Sequence, residues 1–520
     1  MSRIQELLNE AEVIANYDAQ PEIVRLECDK PVYIISDLHL ARGRDISGNF
    51  AGTENFFYDD EFARFLRKID RTAEGEPALL VINGDFIDFL RVTDVPQGHA
   101  AIREWSHFLS RIGIAKSESE LANSIGEKES EDGLKTHEFK SVWKLMAIAD
   151  GHDELFTALA SWLAKGNELI LLKGNHDLEW AWAGVRNALR LILADRMNEL
   201  DPTASHDEHL ESLTSGLGFI DRAMLLNNEL YIEHGHRYDP FSCVRPMDQN
   251  FLTHSPGELN IPLGSMFNRY VINKIELAYP YYDNVRPRAS LLPMLVKERL
   301  PLAVKLLFWH IPFVFRVLPK RQYAWPVFRP AILFIIFVLL PMAFVGYEAY
   351  QILKPAFAST ASQESALSGQ ILSFLNGVGA LVGSYIMARL VAYLKLEEPV
   401  TLAPEATMLM TKVKEAKYYV MGHTHYPEQF VDRGKYFFNS GTWIPMVENT
   451  SSAIKMEKTF TLLRFSLDAF GKFSPTVLER WNDNAERIEQ LVLTTEKHSM
   501  LKSYRVKRKT KKMLAQLAAT

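Results

Sequence analysis

The stretch Pro31–Leu40, PVYIISDLHL, decides how this chain is expected to fold. Its first half is a short run of Val, Ile and Tyr, which are residue types typical of a buried strand. An aspartate and a histidine follow at the point where that run ends. Five further runs have the same form: ALLVIN (78–83) before GDFID, ELILLK (168–173) before GNHD, ELYIEH (229–234) before GHR, KYYVM (417–421) before GHTH, and KYFFN (435–439) before SGTW.

Helical patterns lie between several of these runs, for example EFARFLRKI (61–69) and DELFTALASWLAK (153–165). Strands that alternate with helices predict an α/β architecture. Polar clusters at the carboxyl ends of strands are where such sheets form their sites. Two polar stretches, Lys116–Glu138 and Asp201–Gly216, are expected to be mobile insertions.

Composition places the chain among folded proteins, with 47% apolar and 23% charged residues over 520 positions and a net charge of −6. Its two cysteines, Cys28 and Cys243, cannot form a disulfide framework. The first 18 residues include acidic side chains and no long apolar run, so they do not read as a secretory signal. We therefore expect the main body in a reducing, cytosolic compartment.

Two uncharged segments, 330–347 and 365–388, are 18 and 24 residues long. A membrane helix needs about 20 apolar residues, so the sequence predicts a two-helix transmembrane hairpin over 330–394. Basic residues flank its outer sides, which predicts that both flanks and the main body face the cytoplasm. The location that we expect is a bacterial-type inner (cytoplasmic) membrane, crossed by two helices. The alternative is a buried helical hairpin in a soluble core. Gly379 and Gly383 form a GxxxG through which a homo-oligomer could pack.

The hairpin divides the expected α/β domain into a first part, 1–290, and a second part, 395–480. Residues 291–329, whose Lys297–Arg329 portion has seven Lys/Arg and one acidic residue, read as a basic interfacial segment. Residues 481–520 form a basic tail, with eight Lys/Arg and no acidic residue from Lys497 onward. Anionic membrane lipids are the partner we expect for these segments, rather than nucleic acid, and a merely solvated tail is the alternative.

The strand-end clusters supply carboxylate, amide and imidazole donors and no thiolate. Such donors suit divalent Mn²⁺, Fe or Zn²⁺, and Mn²⁺ is the ion we expect first. We expect two ions, with Asp85 as the bridge between them. Two cations that share a water lower its pKa and bind both the attacking and the leaving oxygen of a phosphoryl group. The expected ligands are Asp37, His39 and His425 for one ion, and Asn175, His234 and His423 for the other.

These motifs, in this order, resemble the signature of the calcineurin-like metallophosphoesterases. The matching segments are DLH (37–39), GDFID (84–88), GNHD (174–177), HGH (234–236) and GHTH (422–425). The resemblance implies a four-layer α/β sandwich with two central mixed sheets and a dinuclear metal centre. It also implies that His176 contacts the phosphate and helps protonate the leaving group, that Asp177 orients His176, and that Asp88 steadies a ligand or loop.

Within the family, SDLHL and GHTHYP are most similar to the bacterial UDP-2,3-diacylglucosamine pyrophosphohydrolases of lipid A synthesis. That branch has an arginine after the GN, where His176 stands here, and it is shorter and lacks a hairpin. The similarity therefore favours lipid substrates as a class without naming one. Arg42, Arg44 and Arg237 follow the motifs closely enough to bind phosphate, or to form surface ion pairs, and His236 is expected just behind the site.

The function that we expect is a membrane-anchored, dinuclear metal-dependent phosphohydrolase. A hydroxide between the metals would attack a phosphate ester or pyrophosphate of a lipid or lipid-linked substrate. One alternative is a tethered phosphatase or phosphodiesterase of soluble nucleotides or phosphoproteins. Another, from a different class, is a non-catalytic scaffold or lipid-binding module.

Overall fold

A computed structural model describes residues 2–45, 47–72, 76–245, 249–253, 255–277, 285–286, 399, 401–449 and 454–492. The helices in this part are α1 (Arg3–Ala15), α2 (Asp59–Thr72), α3 (Gly98–Arg111), α4 (Glu118–Ser124), α5 (Glu129–Asp132), α6 (Glu138–Gly151), α7 (Asp153–Ala164), α8 (Ala183–Leu200), α9 (His206–Gly216), α10 (Leu263–Phe267), α11 (Asn273–Glu276) and α12 (Ala403–Lys412). The strands are β1 (Ile23–Leu26), β2 (Val32–Ile35), β3 (Leu79–Asn83), β4 (Glu168–Leu172), β5 (Leu217–Ile220), β6 (Ala223–Leu226), β7 (Leu230–Glu233), β8 (Phe251–Leu252), β9 (Ser255–Leu259), β10 (Val285–Arg286), β11 (Tyr418–Met421), β12 (Glu428–Asp432), β13 (Lys435–Asn439), β14 (Met446–Asn449), β15 (Ile454–Glu457), β16 (Thr461–Phe465), β17 (Glu479–Asn482) and β18 (Arg487–Gln490).

Most strands belong to two mixed sheets. One has seven strands in the order β18-β17-β16-β2-β3-β4-β5, and the other has six in the order β1-β6-β7-β11-β13-β12. Strands β2 to β5 are parallel, whereas β16 joins β2 in the antiparallel sense. All six runs singled out in the sequence form strands. The predicted α/β class is confirmed, and two mixed sheets with helices are consistent with an α/β sandwich.

Alternation of side chains along the strands divides the core. Val32 and Ile34 of β2 pack in one cluster with Ile232 and Val420 of the six-stranded sheet. Tyr33 and Ile35 of β2 pack instead in a larger cluster with apolar residues of α2, α3, α6, α7 and α8. A third cluster joins α12 to the other face of the six-stranded sheet. Because successive strand residues point to opposite faces, each sheet is covered by apolar residues on both sides.

The two polar stretches contain helices rather than only mobile chain. Helix α4 lies in the first and α9 in the second. Ser117 and Ser205 form complete capping boxes with Glu120 and Glu208, so the free N–H groups at each helix start are bonded. Both segments, expected as mobile insertions, therefore contain regular capped helices.

The expected multi-pass inner-membrane location is contradicted. In the described part of the chain, no helix combines the length and the apolar character that crossing a bilayer requires. The longest of these helices, α8, has 18 residues and includes Arg186 and Arg190. The segments on which the expectation rested, 330–347 and 365–388, lie outside the described residues, and so do 291–329 and the tail from residue 493. Strands β17 and β18 extend the seven-stranded sheet past the expected domain boundary at residue 480.

Candidate metal centre

The motif residues meet because their strands are parallel neighbours. Strands β2, β3 and β4 lie side by side, so Asp37, Asp85 and Asn175, which follow them, reach one edge of the seven-stranded sheet. Strand β11 pairs in parallel with β7, which brings His423 beside His234 although 189 positions separate them in the sequence. The two sets of strand ends face each other across the interior.

Glycines allow the strand-end loops to approach this closely. A Cβ on Gly174 would lie 2.0 Å from Asp85 Oδ1, and one on Gly422 would lie 2.6 Å from Asp37 Oδ2. Neither distance is compatible with a side chain. The glycines of the GN and GH motifs are therefore required by packing against the carboxylates.

The first group of donors is Asp37, His39 and His425. The Nε2 atoms of the two histidines are 3.1 Å apart. Asp37 Oδ1 lies 3.4 Å from His425 Nε2 and 3.8 Å from His39 Nε2. All three ligand atoms lie within 4.8 Å of one another, and this group could hold a metal ion. Its members are the ones expected for the first ion.

The second group contains Asp85, His234 and His423. His234 Nε2 is 3.0 Å from Asp85 Oδ2. Its Nδ1 lies 2.8 Å from the Asn83 carbonyl oxygen, which selects the tautomer with Nδ1–H and leaves the Nε2 lone pair toward the group. Asn175 Oδ1 is buried and accepts no hydrogen bond from any described residue. A buried amide oxygen without a hydrogen bond is suited to bind a cation, and Asn175 is one of the ligands expected for the second ion.

Asp85 lies between the two groups, as expected of a bridge. Its Oδ2 is 3.0 Å from His234 Nε2 and 3.8 Å from His39 Nε2. Its Oδ1 accepts the backbone N–H of His176 at 2.8 Å. The same oxygen, Oδ2, thus points toward both donor groups. The two carboxylate oxygens do not each face a different group. His39, Asp85 and His176 also form a third set of donors within ligand distance.

Five of the expected ligands have left-handed backbone conformations. Their φ angles are 56° for Asp37, 51° for His39, 52° for Asp85, 70° for His423 and 63° for His425. Non-glycine residues adopt this region rarely, and such strain clusters at functional sites. This backbone conformation accompanies the placement of both ligands of DLH and both of GHTH in one small volume.

The carboxylates and imidazoles of the centre shift one another's pKa values. Burial alone would raise the pKa of Asp37, but the neighbouring His234 and hydrogen bonds from His39 and His425 lower it below its usual value. Burial alone would lower the pKa of His39, yet hydrogen bonds to Asp37 and Asp88 raise it to about 10. The pKa of His234 is raised to about 9, against the effect of burial, chiefly by Asp85. Buried carboxylates thus create a field that favours positive charge at this edge.

Asp88 contacts an expected ligand, whereas Asp177 differs from the role expected for it. Asp88 Oδ2 lies 2.7 Å from His176 Nδ1 and 3.5 Å from His39 Nδ1, so it orients both rings. Asp177, expected to orient His176, instead accepts the backbone N–H groups of Gly174 at 2.6 Å and Phe86 at 3.0 Å. Its carboxylate joins the GN and GD loops because both amides point at it.

A further contact, between Asp239 and His423, has no signal in the sequence. Asp239 is fully buried, and its Oδ2 lies 3.2 Å from His423 Nε2. The same carboxylate accepts hydrogen bonds from the Ser242 hydroxyl at 2.7 Å and the Phe241 N–H at 2.9 Å. With Nε2 engaged, Nδ1 is the ring nitrogen left to a metal. A carboxylate behind a ligand histidine is the usual way in which proteins fix the tautomer and orientation of that ring.

The three arginines expected to bind phosphate contact groups outside the donor sets. Arg42 donates to the Ala147 carbonyl and lies 3.2 Å from Asp94, while Arg44 donates to the Gly48 carbonyl. Arg237 donates to Glu22 at 3.0 Å. His236 is buried close to the centre, with its ring centroid 5.4 Å from that of His234.

The turn that contains NSGTW supports the first donor group from behind. The Thr442 hydroxyl donates to the Asp37 carbonyl oxygen at 2.7 Å, and the buried Trp443 packs against Phe62 and Phe65. The Trp443 backbone N–H donates to the same carbonyl oxygen at 3.3 Å, so this turn holds the backbone of Asp37 with two hydrogen bonds. A scan against protein-family models finds no match to the chain, and a search of curated proteins finds none either.

Proposed function

We propose that this protein is a dinuclear metal-dependent phosphohydrolase with the four-layer sandwich of the calcineurin-like enzymes. The observation that carries the proposal is the pair of donor groups that share the neighbourhood of Asp85. The carboxylate of Asp85 lies between the two sets of oxygen and imidazole donors. Such donors suit two divalent ions such as Mn²⁺, Fe or Zn²⁺. Such ions, when bound, supply an activated water and hold the phosphoryl oxygens.

His176 is the residue of this chain that we assign to the leaving group. In hydrolysis, water adds to phosphorus, the bond from phosphorus to the leaving oxygen breaks, and that oxygen takes up a proton. The ring lies at the rim of the donor sets, with its Nδ1 held by Asp88 at 2.7 Å. That contact leaves Nε2 as the nitrogen that can hydrogen-bond the phosphate or deliver the proton.

A direct test uses purified full-length protein with added Mn²⁺, p-nitrophenyl phosphate as a monoester and bis-p-nitrophenyl phosphate as a diester. We expect metal-dependent release of nitrophenol from at least one of them. Asp85→Ala should abolish it, because the carboxylate between the donor groups is lost. The matched control is Asp195→Ala, which removes an aspartate that pairs with Arg111 on helices outside the centre. Well-folded protein that binds no ion and releases no nitrophenol would leave the scaffold alternative standing.

The substrate stays a separate proposal. A lipid-linked phosphoester, a soluble nucleotide and a phosphopeptide, assayed side by side at equal concentration, distinguish the classes that the sequence left open. The class with the highest kcat/KM identifies the substrate group.

A further inference from the structure

A fully buried arginine stands behind the metal centre. Arg91 is 1% exposed and ends the short helical turn Phe89–Arg91 that follows GDFID. Its Nε donates a hydrogen bond to Asp88 Oδ2 at 3.1 Å. A buried guanidinium is tolerated only where anions and carbonyl oxygens surround it, so each contact of this side chain is specific.

The Asp88 carboxylate is held through one of its two oxygens. His176 Nδ1 lies 2.7 Å from Oδ2, Arg91 Nε lies 3.1 Å from it, and His39 Nδ1 lies 3.5 Å from it. The other oxygen, Oδ1, is buried and has no hydrogen-bond partner among the described residues. Two of the three nitrogens around Oδ2 thus belong to rings of the centre, and the third belongs to Arg91.

The Arg91 guanidinium is anchored from outside the centre. Its Nη1 donates to the Thr53 carbonyl oxygen at 3.2 Å and contacts the buried carboxylate of Glu276 on α11. The Thr53 hydroxyl donates in turn to the Arg91 carbonyl oxygen at 2.7 Å. Because the guanidinium is planar and its N–H groups point in fixed directions, these contacts determine where Nε meets Asp88. The position of Oδ2 is therefore set by a rigid group with its own supports.

The ring that depends most on Asp88 is that of His176. Its side chain is 13% exposed, whereas that of His39 is 5% exposed, so packing confines His176 less. A ring that turns away from Asp88 no longer aims its Nε2 at the reacting group. Misplacement of a catalytic group by about 1 Å can cost about 10²-fold in rate, so the support of Asp88 bears on the leaving-group step.

We propose that Arg91 is a positioning residue for the leaving-group step. It holds the Asp88 carboxylate against His176 and so keeps Nε2 of that ring aimed at the leaving oxygen. The catalytic part of this inference rests on the proposed hydrolase function. Its structural part, the hold on the His176 ring, can be measured without turnover.

The first experiment uses Arg91→Lys, which keeps the positive charge but loses the planar arrangement of donors. Full-length protein saturated with Mn²⁺ is assayed with p-nitrophenyl phosphate and with phenyl phosphate. Phenolate leaves less readily than p-nitrophenolate, so phenyl phosphate depends more on a proton from His176. We expect Arg91→Lys to raise the ratio of kcat/KM for p-nitrophenyl phosphate to kcat/KM for phenyl phosphate about tenfold. The matched control is Arg190→Lys, another fully buried arginine, which pairs with Glu12 and should keep the wild-type ratio.

A double variant tests whether Arg91 acts through His176. His176→Ala alone should raise the same ratio, and adding Arg91→Lys should raise it no further, because both changes affect one proton transfer. An unchanged ratio in Arg91→Lys, an equal rise in Arg190→Lys, or a further rise in the double variant would each overturn the proposal.

The second experiment follows the His176 ring by NMR in protein labelled with ¹⁵N-histidine, in EDTA. The Nδ1–H signal of His176 is identified by its loss in His176→Ala. Its exchange with water should be about tenfold faster in Arg91→Lys, and as in the wild type in Arg190→Lys. Unchanged exchange in Arg91→Lys would overturn the proposal.

A further variant covers the case in which Arg91→Lys does not fold. Glu276→Gln removes the charge that anchors Arg91 and leaves Asp88 and His176 in place, so it should change both readouts in the same direction. Wild-type readouts in a folded Glu276→Gln protein would then overturn the proposal. Faster exchange at His176 in a protein that hydrolyses neither phosphate would instead refute the proposed function and keep the positioning role.

Discussion

The contact between Asp239 and His423 makes a measurable prediction about metal affinity. Asp239→Asn keeps the shape of the side chain and the bond from the Phe241 N–H but removes the negative charge 3.2 Å from His423 Nε2. The imidazole then becomes a weaker donor and loses part of its orientation. Loss of such a supporting carboxylate costs about 10- to 100-fold in metal affinity, which corresponds to about 1.4–2.8 kcal/mol.

The assay is competition between the protein and a chelating dye for Mn²⁺, followed to saturation at constant pH. If two ions bind, only the affinity of one should fall, because Asp239 contacts a ligand of the second donor group alone. Circular dichroism establishes that the variant is folded. The control is Asp195→Asn, whose carboxylate pairs with Arg111 at 2.6 Å.

Two results would refute this reasoning. An unchanged dissociation constant for both ions would mean that Asp239 does not support a ligand. An equal loss for both ions would mean that the substitution acts through general destabilisation, in which case Asp195→Asn should approach the same loss.

The remaining predictions concern turnover, packing and pH. His176→Ala should keep the metal content of the wild type but lower kcat by about 10²- to 10⁴-fold, whereas Asp85→Ala should lose metal as well; equal metal loss on elemental analysis would contradict these roles. Gly174→Ala should destabilise the protein by about 1–3 kcal/mol in urea unfolding, since its Cβ would lie 2.0 Å from a carboxylate oxygen, whereas Gly216→Ala, with 3.8 Å to the nearest atom, should not. The buried His152 has its pKa raised to about 9 by two carboxylates, against the effect of burial. Its stabilising contribution, about 3 kcal/mol, is thus complete below about pH 6.5 and is lost as the pH rises through 9. In the wild type the free energy of unfolding should therefore fall between pH 6 and pH 9.5, and in His152→Gln this fall should be smaller. A wild-type slope retained in that variant would assign the pH dependence to other groups.

The central strands were predictable because each is a short apolar run that ends in a polar cluster. Strand β3 follows the run ALLVIN closely, beginning at Leu79 and ending at Asn83. Strands of the sheet margins gave no such signal. Strand β12 is half exposed along its length, and β18 consists of Arg, Ile, Glu and Gln. Edge strands carry polar residues because one side of them faces water, so periodicity does not distinguish them from loops.

The donor sets were predictable for a related reason, since every donor stands at the end of a predicted strand or within three residues after it. Contacts between distant segments were not. Asp239 meets His423 across 184 positions, and no local pattern marks that pair. The family resemblance implied Asp177 as the partner of His176, but the carboxylate of Asp177 accepts hydrogen bonds from backbone amides instead. The capping boxes of α4 and α9 are visible in the sequence, but the polar residues around them favoured the prediction of mobile segments.

The left-handed conformations of the five ligands have a consequence for the energetics of the whole molecule. Each costs of order 1 kcal/mol relative to an extended or helical residue, so the centre carries several kcal/mol of stored strain. Replacing His423 by glycine would relieve part of it, and the variant could melt at a higher temperature than the wild type while binding ions more weakly. Tolerance to heat and capacity to bind cations would then change in opposite directions at one backbone position.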